Sequence, residues 1–313
     1  MSKGKPCCSP NSGRSVQDGA APPSDHDFEG RGAELVSAVP WCEVLAGEFR
    51  MGADGPEAWK DDGETPSKTV NLERFEIAAH TVTNALFAAF VTDTGYQTDA
   101  ERHGSSFVFR GFVDRRTPKR QIGLDPSIPW WARVDGATWR RPWGGREDID
   151  LRAVDTHPVV HVSQRDAVAF CRWMGSSVRL PTEPEWEKSA RGGLEEKLYP
   201  WGDELNDERG RPLAHIWRGE FPDRPAPGLP ATHTLPVGTM KPNGFGLHHA
   251  SGNIWEWTTT RRVRPGEGEQ VIQKGGSYLC HASYCDRYRL SARISSLPDD
   301  ATCHTGFRIA RAS

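Results

Sequence analysis

The sequence predicts a single domain of the α+β class with little regular secondary structure. The 313 residues include 32 glycines and 24 prolines, which interrupt helices and strands throughout the chain. The 12 tryptophans are large core or pocket fillers, and they indicate short elements held together by aromatic packing. Helical periodicity is confined to three segments before about residue 200, and short strands and turns dominate after it. We therefore place one domain at residues 34–313.

The chain begins with a polar stretch. Residues 1–33 are rich in Gly, Ser, Pro and Asp, and we predict that they form a disordered tail. Order is expected to begin within Val36–Phe49, and "AGEFRMGAD" (46–54) reads as a strand that runs into a turn at a glycine. "DDGETP" (61–66) is a second turn cluster.

Three helices are predicted from their apolar spacing and their end signals. Each begins after a Ser or Thr N-cap and stops at a glycine. In the second and third, Asp166 and Glu185 stand three residues after the cap and predict capping boxes. The cap and stop pairs are Thr83 and Gly95, Ser163 and Gly175, and Thr182 and Gly192.

Charge and hydropathy exclude some classes of protein. With 39 Lys and Arg against 42 Asp and Glu, the net charge of −3 does not suggest a nucleic-acid binder. No apolar run reaches about 18 residues, so we expect no membrane span. The N-terminus lacks the apolar core of a signal peptide, so we expect a cytoplasmic, monomeric protein whose cysteines are free thiols unless they bind metal or take part in redox chemistry.

The most informative stretch is "KGGSYLCHASYCDRYRLSAR" (274–293), which contains Cys280 and Cys285. Two thiolates without further ligands make a poor structural zinc site, whereas soft thiolates favour Cu(I) and leave a position for a third sulfur from a substrate. The nearby His281, Arg287 and Arg289 would lower the pKa of both thiols. On the spacing alone, two ordinary buried cysteines or one incidental disulfide are the more common interpretation.

Several phrases of this sequence occur together, and in this order, in one family. They are "HPVVHVS", "RLPTEPEWEKSARGG", "YPWGDEL", "PNGFGLHHASGNIWEW", "GGSYLCHASYCDRYRLSAR" and "TGFRIA", and with shorter phrases they cover nearly all of residues 44–311. In them the chain resembles the formylglycine-generating enzymes, or sulfatase-modifying factors. The resemblance implies the fold of that family, which is related to the C-type lectin fold. It also implies that O2 and an external reductant are used to oxidise a cysteine to Cα-formylglycine. The expected client is an unfolded or nascent sulfatase-type peptide with a Cys-x-Pro-x-Arg motif.

The resemblance also assigns roles to single residues. Cys280 and Cys285 match the cysteines that bind Cu(I), and Ser277 matches a residue that lies beside the metal and takes part in the oxygen chemistry. For the tryptophans, core packing is the competing interpretation, and Arg289 could instead belong to a structural ion pair. The positions that match the cleft for the client peptide are Ser106, Phe107, Trp130, Trp255, Tyr284, Arg289 and His304.

Two positions depart from the family pattern. His215 and His249 stand where the family commonly has asparagines that contribute to calcium sites. An imidazole is a poor calcium ligand, so we expect the first site to be lost. The second keeps Glu256 and the carbonyls of Gly252 and Ile254, so weak calcium binding there stays an expectation.

The other cysteines have no chemical role in this interpretation. Cys171 matches a position that some family members use in a disulfide, but the partner position is Ile309, so we predict a free, buried thiol. Cys42 and Cys303 are unassigned, and the Cys7-Cys8 pair is placed in the tail.

Two alternative functions are considered. A non-catalytic, lectin-like binding paralogue would not need both cysteines and Ser277. An iron-dependent sulfoxide synthase of the related fold would need a histidine-based facial site, and no His-x3-His-x-Glu stretch is present.

Overall fold

The structure is a computed structural model that describes residues 10, 28–126, 128–145, 148–226, 234–264 and 268–313. Within these residues no helix is both long and apolar enough to cross a membrane. The predicted polar tail, including Cys7 and Cys8, lies outside the described residues up to residue 27, apart from Pro10.

The helices form where the sequence predicts them. Helices α1, α3 and α4 begin after Thr83, Ser163 and Thr182 and end before a glycine, and the last two carry the predicted capping boxes. Helix α2 was not predicted, because its five residues are too few for a periodic pattern, although it has its own capping box. The bounds are α1 Asn84–Thr94, α2 Asp99–His103, α3 Gln164–Met174 and α4 Glu183–Arg191. Short 3-10 helices occupy Ala33–Ala38, Lys60–Asp62, Arg110–Phe112 and Lys119–Gln121.

The strands are short, as the many glycines and prolines predict. The predicted strand in 46–54 is present as β2, and it pairs with β3 as an antiparallel hairpin. The strands of the described residues are β1 Trp41–Val44, β2 Gly47–Met51, β3 Lys68–Leu72, β4 Phe75–Ala78, β5 Ser105–Phe109, β6 Ile122–Leu124, β7 Trp131–Asp135, β8 Val178–Arg179, β9 Gly219–Glu220, β10 Arg224–Pro225, β11 Trp255–Arg264, β12 Gly268–Lys274, β13 Arg293–Ser296, β14 Thr305–Phe307 and β15 Ala310–Ala312.

These strands build several small sheets rather than one large one. One four-stranded sheet has the order β1-β4-β15-β8, and a second has the order β13-β12-β11-β14. A three-stranded sheet has the order β5-β7-β6. Pairing is antiparallel except between β11 and β14. Separate helices with mainly antiparallel sheets confirm the predicted α+β class.

The largest apolar core lies between α1 and α3. Phe87 of α1 packs edge-on against Phe90 and stacks on Phe170 of α3, with ring centroids 5.5 and 6.1 Å apart. Phe307 of β14 closes on Phe170 at 5.3 Å. Trp139 and Trp173 join this cluster, with ring centroids 5.2 Å from Phe87 and 5.6 Å from Phe90, in line with the aromatic packing expected of the tryptophans. Aromatic pairs of this kind stabilise beyond the area they bury.

The packed domain includes residues 28–33, which the sequence analysis assigned to the tail. Phe28 is 6% exposed and packs edge-on against Phe90 at a ring distance of 5.9 Å. The backbone N–H groups of Gly30 and Gly32 each donate to carbonyls at the end of α3, at 2.9 Å. The composition of residues 28–33 did not indicate this packing, because a single aromatic residue, Phe28, anchors an otherwise polar segment.

Candidate functional site

Cys280 and Cys285 lie in the irregular segment that connects β12 to β13. Both side chains are buried, and both are free thiols rather than a disulfide. They belong to one apolar cluster, which also contains Trp255 and Tyr288. The structure therefore removes the incidental disulfide from the alternatives and places both sulfurs in the same water-poor cluster.

Two glycines fold this segment back on itself. Gly275 and Gly276 have φ of 100° and 74°, in the left-handed region that favours glycine. A Cβ on Gly276 would lie 2.6 Å from the carbonyl oxygen of Arg287 and 2.8 Å from the Cα of Tyr288. Both reasons for a glycine, positive φ and close backbone approach, therefore apply at Gly276.

Ser277 connects Cys280 to a buried histidine. Its backbone N–H donates to the sulfur of Cys280 at 3.4 Å, and its hydroxyl oxygen lies 4.0 Å from the same sulfur. The hydroxyl also bonds to Nδ1 of His304 at 2.8 Å, and it accepts from the N–H of Leu279. The three predicted residues Cys280, Ser277 and His304 are thus in one hydrogen-bonded chain.

Tyr288 lies in the same apolar cluster as both thiols. The pKa of its phenol is raised, first by burial and then by the charges of Tyr199, Asp286, Cys280 and Cys285. Sequence reasoning did not single out Tyr288, since a tyrosine in an aromatic-rich run is most often core.

The two arginines after Cys285 make buried ion pairs with the 59–64 segment. Nε of Arg287 lies 2.6 Å from Asp62, and its guanidinium is 3.9 Å from the ring of Trp59. Arg289 binds both oxygens of Glu64, at 2.6 and 3.0 Å, and both partners are almost fully buried. Arg289 therefore forms a structural ion pair, which was the alternative to a role in binding the client. A contact between Arg289 and the client peptide stays a prediction.

Aromatic rings form a half-buried patch next to Cys285. Tyr284 stacks on Phe221 with ring centroids 4.7 Å apart, and Trp130 meets Tyr284 edge-on at 4.6 Å. None of the three is fully buried. The structure therefore brings together two predicted cleft residues, Trp130 and Tyr284, and adds Phe221.

The remaining predicted cleft residues meet at the edge of β5. The hydroxyl of Ser106 donates to the carbonyl of Ala301 at 2.8 Å, and the carbonyl of Phe107 accepts from the N–H of Cys303 at 2.9 Å. This pairing brings β5 beside His304. His161, which the sequence analysis missed, bonds to Ser106 at 2.8 Å, and its burial lowers its pKa to about 3.

Trp255 lies beneath the thiols rather than at the surface. It is fully buried in the cluster of Cys280 and Cys285, and its indole N–H has no hydrogen-bond partner among the described residues. A buried donor without an acceptor costs about 1–3 kcal/mol of stability, which the packing of the large indole ring in this cluster offsets.

The comparisons with known proteins agree with this geometry. The model of the sulfatase-modifying factor enzyme 1-like domain matches residues 36–313. The chain belongs to this family. It is 45% identical over 305 residues to the formylglycine-generating enzyme of Thermomonospora curvata, which covers 92% of this chain and 98% of that protein. It is also 40% identical to the inactive C-alpha-formylglycine-generating enzyme 2 of Mus musculus, over 84% of this chain and 83% of that protein.

A solved structure supports the fold alone. PvdO from Pseudomonas aeruginosa superposes with a TM-score of 0.60 at 21% identity, over 88% of this chain and 95% of that one. Relatives named formylglycine-generating enzyme, at 45% and 48% identity over most of this chain, support an oxidase of this family, and the inactive relative is less similar at 40%.

The possible calcium residues are otherwise engaged. The carboxylate of Glu256 binds the guanidinium of Arg308 at 2.9 and 3.0 Å, and it accepts from the indole N–H of Trp186 at 2.6 Å. Calcium needs about six to eight oxygen ligands. Glu256 is already paired with Arg308, and His215 and His249 present imidazole nitrogens instead of oxygens. The donors around Gly252 and Ile254 therefore do not fit that ion.

The other cysteines are buried thiols. Cys171 is free and fully buried in the helical core, as predicted, and burial raises the pKa of its thiol. Cys42 and Cys303 are also free and buried. Burial keeps such thiols protonated, so they are unreactive at neutral pH.

Proposed function

We propose that this protein oxidises a cysteine of a client polypeptide to Cα-formylglycine, with Cu(I) as cofactor and O2 and an external reductant as co-substrates. The observation that carries the proposal is the pair of buried, unbridged thiols of Cys280 and Cys285 with Ser277 against one of them. An inactive relative of the family is 40% identical to this chain, and these three residues are the features expected of an active member.

The donor set suits a soft monovalent metal. Thiolates select Cu(I), and within the described residues no group of three or more His, Cys, Asp and Glu side chains could hold a harder ion. Cys280 and Cys285 would hold the copper, and a client thiol would be the third sulfur. Bound copper would supply the one-electron and O2 chemistry, which amino-acid side chains do not provide.

The protein's own residues would orient the reactants. The N–H of Ser277 donates toward the sulfur of Cys280 and steadies negative charge there, and its hydroxyl is held by His304. The buried cluster around Trp255 excludes water from the reacting thiol. In the net reaction, client thiol, O2, two electrons and two protons give the aldehyde, hydrogen sulfide and water.

The client would be an extended, sulfatase-type peptide with the Cys-x-Pro-x-Arg motif. The half-buried rings of Trp130, Phe221 and Tyr284 offer an apolar surface on which a proline ring could pack. Ser106, Phe107 and His304 lie on the other predicted side of this cleft. An unfolded or nascent client is required, because a folded cysteine would not reach a buried pair of thiols.

The test is mass spectrometry of a synthetic Cys-x-Pro-x-Arg peptide after incubation with enzyme, Cu(I), thiol reductant and O2. Formylglycine lowers the peptide mass by about 18 Da, whereas simple sulfur oxidation adds about 16 Da per oxygen. The Cys280→Ser enzyme and a peptide with serine in place of the cysteine are the controls. Binding of the peptide with no mass change in copper-loaded enzyme would instead favour a non-catalytic binding protein.

A further inference from the structure

A pair of histidines lies away from the cysteine segment, at the end of β4. His80 follows that strand by two residues, and His248 lies in the loop before β11. Their ring centroids are 4.7 Å apart and the rings are tilted by 46°. Both side chains are half-buried, so one side of the pair is open to solvent. Neither residue has a role in the proposed oxidation.

The hydrogen bonds of the pair leave ring nitrogens available. Nδ1 of His248 lies 2.7 Å from the carbonyl oxygen of Met240. A carbonyl only accepts, so Nδ1 carries a hydrogen, and Nε2 is the ring nitrogen that makes no hydrogen bond to the described residues. This is the arrangement found at metal-binding histidines, where the second ring nitrogen donates to a carbonyl and fixes the tautomer.

His80 makes no side-chain hydrogen bond to any described residue. Its ring lies against that of His248, and its Nε2 is 3.7 Å from the position that a Cβ on Gly238 would take. Burial lowers the pKa of His80 to about 4, and the charges of His248 and Arg308 act in the same direction. The ring is therefore neutral at pH 7, which is the form that binds metal ions.

The backbone holds the two histidines in place. The N–H of His248 donates to the carbonyl of Ala79 at 2.9 Å. The buried guanidinium of Arg308 bonds to the carbonyls of Ala78, Ala79 and His248, at 2.9, 2.6 and 2.8 Å. Its positive charge is offset by the carboxylate of Glu256, with which it makes two hydrogen bonds. Such preorganisation lowers the entropic cost of bringing two ligands to one ion.

We propose that His80 and His248 form a two-imidazole binding site for a divalent transition-metal ion such as Ni2+, Zn2+ or Cu2+, with water completing the coordination. Imidazole is the ligand that these ions share, whereas the thiols of Cys280 and Cys285 select softer ions. The site is independent of the proposed oxidation and would exist whether or not the chain is catalytic.

The test is calorimetric titration of the full chain with Ni2+ under reducing conditions. Wild-type protein and the control His103→Asn should bind Ni2+ equally. His80→Asn and His248→Asn should each weaken binding at least about tenfold, since each removes one of two side-chain ligands. Thiolate binding would be recognised by its charge-transfer absorption, and loss of binding in Cys280→Ser alone would overturn the proposal.

A second measurement identifies the residues directly. Cu2+ with ascorbate oxidises the histidines that bind it, and mass spectrometry of tryptic peptides locates the added oxygen of about 16 Da. Oxidation is expected at His80 and His248 and not at His103. Because His80 makes no side-chain hydrogen bond to described residues, His80→Asn should remain folded, which circular dichroism would check. Wild-type Ni2+ affinity in a folded His80→Asn variant, or oxidation confined to other residues, would contradict the site.

Discussion

Buried cysteines occur in two regions of this molecule that are stabilised in different ways. Cys171 lies in the helical core, where α1 and α3 pack through Phe87, Phe90 and Phe170. Cys280 and Cys285 lie in a segment without regular structure, whose arginines are anchored to the 59–64 segment by buried ion pairs. Burial alone therefore does not distinguish a structural thiol from a candidate ligand.

The difference lies in what surrounds the sulfur. Around Cys171 the neighbours are apolar, and burial raises the pKa of the thiol. At Cys280 a backbone N–H and a serine hydroxyl approach the sulfur. A region whose side chains only fill the core can be built by apolar packing. A region that must position particular atoms, such as a sulfur, requires directional hydrogen bonds.

The largest effect expected from this comparison is on activity. Cys285→Ser should abolish Cu(I) binding and lower peptide turnover at least about a thousandfold, which corresponds to about 4 kcal/mol of transition-state stabilisation. Cys171→Ser, the matched change in the helical core, should retain turnover but lose stability, because it buries a hydroxyl among apolar side chains. Cu(I) titration, the peptide assay and thermal unfolding measure the three quantities. Equal turnover in the two variants would remove the distinction between the regions.

The second effect concerns the ion pairs that anchor the cysteine segment. Glu64→Ala should lower the free energy of unfolding by about 3–5 kcal/mol, since it leaves the buried guanidinium of Arg289 without its partner. The matched control is Glu43→Ala, which breaks the exposed pair with Arg74 and should cost less than about 1 kcal/mol. Denaturant unfolding measures both.

A further variant, Arg289→Lys, tests the role of Arg289 by unfolding and by peptide turnover. Arg289→Lys keeps the charge but loses the bidentate geometry. A variant that is destabilised but turns over peptide normally at low temperature would assign Arg289 to the fold. Turnover lowered at least about tenfold with unchanged stability would assign it to the site, as the sequence analysis predicted.

The sequence predicted the two regions unequally. The helices around Ser163 and Thr182 were correct in their ends, because capping residues and glycine stops are local signals. Ion pairs such as Arg289 with Glu64 join positions 225 apart in the chain, and no local pattern indicates which carboxylate an arginine will meet. The site residues were recognised by resemblance, while their partners, such as His161 and Tyr288, required the structure.

The third effect concerns Phe28, which packs into the helical core from the start of the domain. Phe28→Ala should lower the free energy of unfolding by about 3 kcal/mol, because it removes a buried ring from Phe90 and Tyr96. Its effect belongs to the helical core, so turnover by the folded fraction should be unchanged. Chemical denaturation followed by tryptophan fluorescence measures the change. A loss of less than about 0.5 kcal/mol in the free energy of unfolding would show that residues 28–33 belong to the tail rather than to the packed domain.

A smaller effect is expected at the helix caps. Thr182→Ala should cost about 1 kcal/mol, since the side chain of Thr182 accepts from the N–H of Glu185 at the start of α4. Thr182→Ser keeps the hydroxyl and serves as the control. If alanine and serine had the same effect, the hydrogen bond would not be the source of the stability.

Calcium should have the smallest effect, because the carboxylate expected to bind it, Glu256, is already paired with Arg308. Glu256 of β11 is neutralised by Arg308, which also bonds to the carbonyls at the end of β4, so calcium would have to displace a buried guanidinium. Removing one partner of such a pair is costly, and His215 and His249 offer nitrogen in place of the oxygen that calcium prefers.

Added calcium should therefore shift the melting temperature by less than about 1 °C relative to magnesium at the same ionic strength. A rise of more than about 5 °C, which corresponds to at least about 1 kcal/mol, would show that calcium binds at Glu256 or at another site in the chain. Repeating the measurement with Glu256→Gln separates these outcomes, because only a site at Glu256 would lose the shift.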